Sequence, residues 1–341
     1  MPSRCGTLAK MSDKLPSPKI ITAIGGAIAA DTLLPADAEA AHRNFLAAAT
    51  SENTRRTYRS AIRHFLAWGG ILPADENAVI RYLLAHASNL NARTLALRLT
   101  ALSQWHLYQG FADPASTPTV RKTLKGIGRT HGRPKKQAKA LPVEDLEKII
   151  LKLDSLDTLK AKRDSALLQL GFFGGFRRSE LAGLQISDLA WEPDGLIVML
   201  QRSKTDQQGQ GIVKAIPYGT GPCCPATALR GWLETAGIGD GAVFRSINKW
   251  AMLGEHAIHP ASINAILADC ASMAGLDYVP DLSSHSLRRG MATSAYRAGA
   301  DFRDIKRQGG WRHDGTVQGY IEEAGRFEEN AAAHLLKRRT S

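Results

Sequence analysis

The chain has 341 residues, of which 44% are hydrophobic and 22% are charged, a globular composition that excludes a wholly disordered protein and suits two domains. Lys and Arg number 44 against 32 Asp and Glu, and the resulting net charge of +12 favours a polyanionic partner, above all nucleic acid. The four cysteines have neither metal-ligand nor disulfide spacing, which indicates a reducing compartment and excludes a disulfide-stapled secreted fold.

The first 40 residues are rich in Ala and Gly, and we expect a disordered or mobile tail over 1–40. An apolar run at 20–30 follows two lysines and resembles a secretory signal. It begins late, however, and Asp31 ends it far short of a membrane span, so we expect no export. The true translation start is left open between Met1 and Met11.

Residues 41–127 are predicted to form a small helical bundle. One helix begins at Ser51 or Asn53, which are good capping residues, a second covers 76–86, and a third covers 92–109. The apolar faces of the first and third helices contain Tyr58, Ile62, Phe65 and Leu66, and Leu95, Leu99, Leu102 and His106, respectively.

Residues 120–139 carry eight Lys and Arg and no acidic residue, which predicts a helix end followed by a basic linker at 128–139. The glycines in this segment lack dinucleotide-binding spacing, and the chain has no GxxxxGK[ST] phosphate loop. Nucleotide hydrolysis is therefore not expected.

The second half, from residue 140 onward, is predicted to be mainly helical with one small antiparallel sheet. Pro142 can open a helix. Apolar runs at 196–200 and 212–217 flank a polar segment and predict a β-hairpin. Further helices are expected from near Pro225, Pro260, His285, Asp301 and Gly325.

Four local patterns in this half carry candidate chemistry. They are GFRRSELAGL with Arg177 and Glu180, the hairpin turn with Lys204, HSLRRG with His285 and Arg288, and GGWRHDGTVQGY with Trp311 and Tyr320. Each alone suits a surface ion pair, a solvated lysine or a core tyrosine. Their order and spacing together carry a resemblance to a known family, in which these residues form one site.

This set resembles the tyrosine site-specific recombinases, the phage integrase family, from about residue 45 to the C-terminus. Tryptophan at 311, where most members have histidine, with a tyrosine nine residues later, is similar to the Cre-like recombinases. The SENT start of the first arginine-rich helix and ARTLALRLTALSQWHLYQG are similar to the family's DNA-contacting helices. No added arm-binding domain is expected, because the tail lacks strand-like alternation.

The resemblance implies a mainly α fold with a small antiparallel β-sheet, in which two domains close around DNA as a C-shaped clamp. The core-binding, SAM-like domain would cover 41–127, the linker 128–139, and the catalytic domain 140–341. A helix near the C-terminus, with Leu335 and Leu336, would dock into the neighbouring protomer.

It also implies a role for each motif residue. Tyr320 would attack the scissile phosphate, and Arg177 and Arg288 would clamp its oxygens, since guanidinium stays charged and binds bidentately. Glu180 would orient the site. The remaining three are Lys204 as proton donor to the leaving 5′-hydroxyl, His285 as proton acceptor or phosphate hydrogen-bonder, and Trp311 as a single N–H donor.

No metal or cofactor is expected, because the cationic side chains would supply the charge. His256 and His259 have ligand-like spacing but no acidic or cysteine partner beside them.

DNA contacts are predicted outside this set, although about half of the basic residues would be solvated only. Candidate phosphate or backbone contacts are Arg55, Arg56, Arg59, Arg121, Lys122, Lys125, Arg129, Arg133, Lys135, Lys136, Arg245, Lys249 and Arg289. Candidate base contacts are Arg93, Arg98, Ser262 and Asn264.

The function implied is recombination through a 3′-phosphotyrosine and a Holliday junction, without ATP or metal. The enzyme would act as a homotetramer on two DNA sites with inverted arms around a short spacer. We expect it in the cytoplasm of a bacterium or phage host, at the nucleoid. The alternatives are a telomere resolvase, a type IB topoisomerase-like strand transferase, a catalytically inactive DNA-binding regulator, or a purely structural basic protein.

Overall fold

A computed structural model describes residues 50–134, 137–200, 211–327 and 330–337. The chain forms two compact units that divide after residue 135, within the predicted linker. None of the helices in these ranges combines the length and apolarity that crossing a membrane requires.

The N-terminal unit is built from helices that each begin at a side-chain cap. The helices are α1 (Glu52–Ala67), α2 (Glu76–His86), α3 (Ala92–Tyr108) and α4 (Pro118–His131), and their caps are Ser51, Asp75, Asn91 and Thr117. Each cap oxygen accepts a backbone N–H of the first turn that has no partner within the helix. Phe65, Tyr82 and Leu95 lie at the centre of the core.

The three helices predicted from periodicity are confirmed, and Ser51, not Asn53, is the cap of α1. The fourth helix runs to His131, so the chain is still helical at the start of the predicted linker. The reason is local: Thr117 caps it, Pro118 begins it, and Val120 and Ile127, two turns apart, are buried on one face.

The C-terminal unit is mainly helical, in agreement with the sequence. Its helices are α5 (Val143–Asp154), α6 (Leu159–Phe173), α7 (Arg178–Gly183), α8 (Pro225–Ala236), α9 (Ser262–Met273), α10 (Ser284–Arg297), α11 (Phe302–Gly309), α12 (Asp314–Ala324) and α13 (Ala331–Lys337). Helix α6 is buried on nearly every side and packs against α5, α8 and α10. Helix α6 is therefore the central element of the core that supports the site described below.

Two small antiparallel sheets complete the unit. The strands β1 (Leu189–Glu192), β2 (Gly195–Leu200) and β3 (Ile212–Pro217) form one sheet in that order, and β4 (Arg245–Ile247) pairs with β5 (Leu253–Ala257) in the other. The predicted hairpin is confirmed as β2 and β3. The sequence reasoning missed β1, β4 and β5, because they are short and mostly exposed and therefore lack a clear apolar alternation.

Candidate active site

The turn between α6 and α7 positions Arg177. Gly175 has φ +54°, and a Cβ there would lie 2.6 Å from the Met291 side chain and 3.3 Å from the backbone of Gly309. Only glycine fits this conformation and this approach. The chain then buries Phe176, 2% exposed, which directs Arg177 to the N-cap position of α7.

Glu180 fixes Arg177 through both of its carboxylate oxygens. Oε2 accepts the backbone N–H of Arg177 at 2.9 Å, and Oε1 accepts Nη1 of the guanidinium at 2.5 Å. The Glu180 side chain is only 4% exposed, whereas the Arg177 side chain is 20% exposed. The pair thus consists of a buried carboxylate and a guanidinium that is still partly exposed.

Arg288 lies on α10 and is 5% exposed. Its Nη1 donates to the carbonyl oxygen of Gly175, and its Cζ lies 4.1 Å from the centroid of the Trp311 ring. Its Nη2 is buried and makes no hydrogen bond with any described residue. Burial and the nearby charge of Arg177 lower the pKa of Arg288 to about 10, so the guanidinium remains charged at neutral pH.

Trp311 connects this arginine to Tyr320. The two aromatic rings lie 5.6 Å apart, centroid to centroid, and are tilted by 59°. A Cβ on Gly309 would lie 1.8 Å from the Trp311 ring, so glycine is required for the indole to pack against the end of α11. Tyr320, on α12, is partly exposed and is therefore accessible from the surface.

Arg289, the residue after Arg288, also faces Tyr320. Its Cζ lies 5.4 Å from the tyrosine ring centroid, and its guanidinium donates to Gln137 at 2.6 Å and to Glu323. Arg289 is 7% exposed, and these partners hold it inside the protein. Arg289, a candidate phosphate contact from the sequence, thus lies beside the tyrosine and is buried and paired with Glu323.

A lysine that the sequence analysis did not select, Lys214 on β3, lies next to this cluster. It is 2% exposed, and burial together with the charge of Arg288 lowers its pKa to about 7. The alternation of β3 was a usable signal, because Ile212, Lys214 and Ile216 share the inward face of the strand. Its residue type gives the opposite signal, because lysine is rarely buried in proteins.

The remaining motif residues are placed as follows. His285 lies in the first turn of α10, three residues before Arg288, with an exposed side chain. Lys204 lies outside the described residues. Among the residues described, no group of three or more His, Cys, Asp or Glu side chains is arranged to hold a metal ion.

The candidate phosphate contacts of the N-terminal unit lie mainly on exposed surface. Arg55 and Arg59 are paired with Glu52 on α1. Among these candidates, the exposed residues are Arg56, Arg59, Arg121, Lys122, Lys125, Arg129 and Arg133, and the candidate base contact Arg93 is exposed as well, while Lys135 and Lys136 lie outside the described residues. Their contacts with DNA stay predictions.

Two candidates for base contacts are engaged within the protein. Arg98 donates to the Tyr82 hydroxyl at 3.0 Å and contacts the His64 ring, and Asn264 accepts the backbone N–H of Ser284 at 2.8 Å. Asn264 therefore connects α9 to the start of α10, the helix that carries Arg288. Ser262 is exposed at the start of α9.

The β4–β5 hairpin holds the other two candidate backbone contacts. Arg245 donates to the carbonyl oxygens of Ala242 at 3.1 Å and Asp240 at 2.5 Å. Lys249 lies in the turn with its ammonium 4.4 Å from the ring centroid of the exposed Trp250. The ammonium of Lys249 is thus available at the surface.

Comparison with known proteins agrees with this arrangement. Residues 139–326, more than half of the chain, match the phage integrase family. An integrase/recombinase XerD homologue of Selenomonas ruminantium is 36% identical over 251 residues, covering 72% of this chain and 73% of that protein. The tyrosine recombinase XerC of Escherichia coli O157:H7 is 29% identical over 239 residues, 68% of this chain and 70% of the relative.

The fold agrees as well. A crystal structure of a lambda integrase tetramer bound to a Holliday junction aligns over 82% of this chain and 75% of that one, with a TM-score of 0.57 and 16% identity. The assignment to Cre-like members stays a prediction. The family match, the relatives and the mainly helical fold show that this chain belongs to the phage integrase family and is a tyrosine recombinase.

Proposed function

We propose that this tyrosine recombinase carries out site-specific recombination through a 3′-phosphotyrosine intermediate formed on Tyr320. One observation carries the proposal: the buried Arg288 guanidinium stacks on the same Trp311 ring that contacts Tyr320. Its Nη2 makes no hydrogen bond with any described residue, although a buried donor normally has a partner. A phosphate oxygen beside Tyr320 would supply that partner.

The chemistry balances without an external energy source. The Tyr320 oxygen forms a bond to phosphorus, and the bond from phosphorus to the 5′-oxygen of the leaving strand breaks. The tyrosine proton passes to His285 or to solvent through it, and Lys204 protonates the leaving oxygen. One phosphoester is exchanged for another, so the reverse attack by a new 5′-hydroxyl rejoins the strands without ATP.

The charge that develops on the phosphate is stabilised by arginine, and we propose no metal. Arg177 and Arg288 are close enough that the charge of one lowers the pKa of the other, which suits two donors on one phosphate group. Glu180 uses both carboxylate oxygens on Arg177 and so fixes the direction of its free guanidinium edge. This anchoring is the positioning role proposed for Glu180.

We also propose the assembly that recombination requires. The two units would close on each inverted arm of a DNA site as a clamp, and four protomers on two sites would pass through a Holliday junction. In support, Leu335 and Leu336 of α13 are 69% and 70% exposed, and Phe327 is 84% exposed. Such apolar residues on a short terminal helix suit docking into a neighbouring protomer. Deleting residues 325–341 should spare binding to a single arm and weaken assembly.

The test begins with a DNA site. The Tyr320→Phe variant, which binds without cutting, is used to select sites from a random pool with inverted arms. A selected site is then nicked within its spacer, so that cleavage releases a short fragment and traps the covalent adduct. Wild type should form an adduct that Tyr320→Phe cannot form, while both bind the intact site equally. Tyr218→Phe, which removes a partly exposed hydroxyl elsewhere in the same unit, should behave as wild type.

The products separate the alternatives. Exchange of strands between two sites supports recombination, whereas closed hairpins indicate a telomere resolvase, and relaxed plasmid alone indicates a topoisomerase. Binding without any adduct from wild type would mean an inactive regulator. An adduct that survives in Tyr320→Phe would refute the assignment of the nucleophile.

A further inference from the structure

Lys214 is a fully buried lysine that the proposed chemistry does not use. It pairs with Val198 across the β2–β3 ladder and points to the inward face with Ile216. Its ammonium donates to the carbonyl oxygen of Gly174 at 2.7 Å and to that of Gln308. No carboxylate of a described residue lies within ion-pair distance of it, so its charge is held by neutral dipoles.

The two carbonyls belong to the two turns that build the site. Gly174 directly precedes Gly175, whose carbonyl holds Arg288, and the same turn leads on to Arg177. Gln308 directly precedes Gly309, on which the Trp311 ring packs. Lys214 therefore joins the turn that supports one side of Arg288 to the turn that supports the stacking partner of Arg288.

The Gln308 side chain strengthens the same junction. Its Nε2 donates to the carbonyl oxygen of Phe173, at the end of α6, at 2.8 Å, and to that of Ala215, on β3, at 3.2 Å. The end of α6, the end of α11 and strand β3 are thus connected by hydrogen bonds from Lys214 and Gln308.

Keeping a cation at this position is unfavourable for folding. Burial, then the charge of Arg288, lower the pKa of Lys214, and Arg177 adds to this while Glu180 opposes it. An apolar side chain of similar length would fill the space without a desolvation penalty. Packing of the core therefore does not explain why the chain has a lysine at position 214.

We propose that Lys214 is a positioning residue for strand transfer, whose ammonium bridges the carbonyls of Gly174 and Gln308 and thereby fixes Arg288 between Gly175 and the Trp311 ring. This rests on the proposed function of the Arg288 and Tyr320 cluster. Lys214 touches neither DNA nor the reacting atoms, and the proton donor to the leaving oxygen remains Lys204. The bridge acts on the rate of cleavage, because it sets the position of a group that binds the transition state.

The test uses the full chain and the nicked, selected DNA site described above. Lys214→Met removes the bridge at nearly constant side-chain length, and Lys214→Arg restores a buried cation with donors. Lys152→Met, which removes an exposed lysine of α5, controls for the loss of one charge. Adduct formation is measured in a single turnover, and affinity is measured on the intact site.

We expect Lys214→Met to form the adduct about 100-fold more slowly, with DNA affinity within about threefold of wild type. Lys214→Arg should recover most of the rate, and Lys152→Met should match wild type. If Lys214→Met unfolds, Lys214→Gln, which keeps an N–H donor, takes its place with the same expectation of slower cleavage at equal affinity.

Two results overturn the inference. One is an adduct rate for Lys214→Met, or for Lys214→Gln in its place, within about threefold of wild type. The other is a loss confined to DNA affinity. If wild type itself forms no Tyr320 adduct, the proposed function fails, and that outcome is distinct from a working enzyme that ignores Lys214.

Discussion

Replacing Lys214 by methionine should change how the free energy of unfolding depends on pH. An ordinary lysine has a pKa of 10.5, whereas burial and the charge of Arg288 lower that of Lys214 to about 7. Between these values the unfolded chain holds a proton on this lysine that the folded chain has released. The free energy of unfolding of wild type therefore rises with pH through this window.

The size of the effect follows from the two pKa values. Below pH 7 the lysine is charged in both states, and the full cost of about 5 kcal/mol is present. The cost is relieved as pH rises, with a slope of at most about 1.4 kcal/mol per pH unit. Integrated from pH 7 to 9, the wild type should gain about 2 kcal/mol that Lys214→Met does not gain.

Urea unfolding at pH 7, 8 and 9 measures this difference. Because the chain has two units, Trp68 and Trp105 are replaced by Phe in both proteins, so that tryptophan fluorescence reports only the C-terminal unit. Groups common to both proteins cancel in the difference, and pH 9 stays below the pKa of about 10 of Arg288. Unfolding free energies that run parallel with pH in the two proteins would refute the buried charge at Lys214.

Three further outcomes are expected. Arg288→Lys should slow adduct formation by about 100-fold at unchanged affinity, because a compact ammonium lacks the planar fork that holds one nitrogen on the Gly175 carbonyl and presents the other to a phosphate oxygen; an equal rate on the nicked site would contradict this. Glu180→Gln should lower the thermal stability of the C-terminal unit by about 1–3 kcal/mol and slow cleavage, since Arg177 loses its buried carboxylate; calorimetry and single-turnover rates measure both. Neutralising the four basic residues of 121–129 should reduce the slope of log Kd against log salt by up to about 4 in fluorescence anisotropy, and an unchanged slope would place them off the DNA.

Local patterns in the sequence predicted much of the fold. The apolar periodicity of Tyr58 to Leu66 and of Leu95 to His106 predicted helices with nearly the observed ends, because Phe65 and the residues from Leu95 to His106 on that face are buried. Leu66, assigned to the apolar face of α1, is instead 46% exposed. Strands β4 and β5 were missed because short, exposed strands are defined by their pairing with each other. The apolar periodicity within either strand does not reveal that pairing.

The candidate site, like the fold, was predicted from the sequence only in part. The motifs selected Arg177, Glu180, Arg288 and Tyr320 by type and spacing, and the structure brings the other three near Arg288. The motifs could not show that Arg98 is held by His64 and Tyr82, since that contact joins three helices. Lys214 was not selected because lysine is rarely buried, although Ile212 and Ile216 lie on the same face of the strand and indicate that this face points inward.

The charge balance around Arg288 explains why such a costly arrangement suits this chemistry. Arg177, Arg288 and protonated Lys214 contribute three positive charges among the described residues, against the single carboxylate of Glu180. A DNA phosphodiester carries one negative charge, and attack by a tyrosine oxygen that has lost its proton adds a second. The surplus of two positive charges therefore matches the transition state better than the bound substrate. Burial is the main cause of the lowered pKa values of Lys214 and Arg288, and repulsion between the cations adds to it. Because catalysis requires stronger binding of the transition state than of the ground state, this repulsion is relieved most at the moment of transfer.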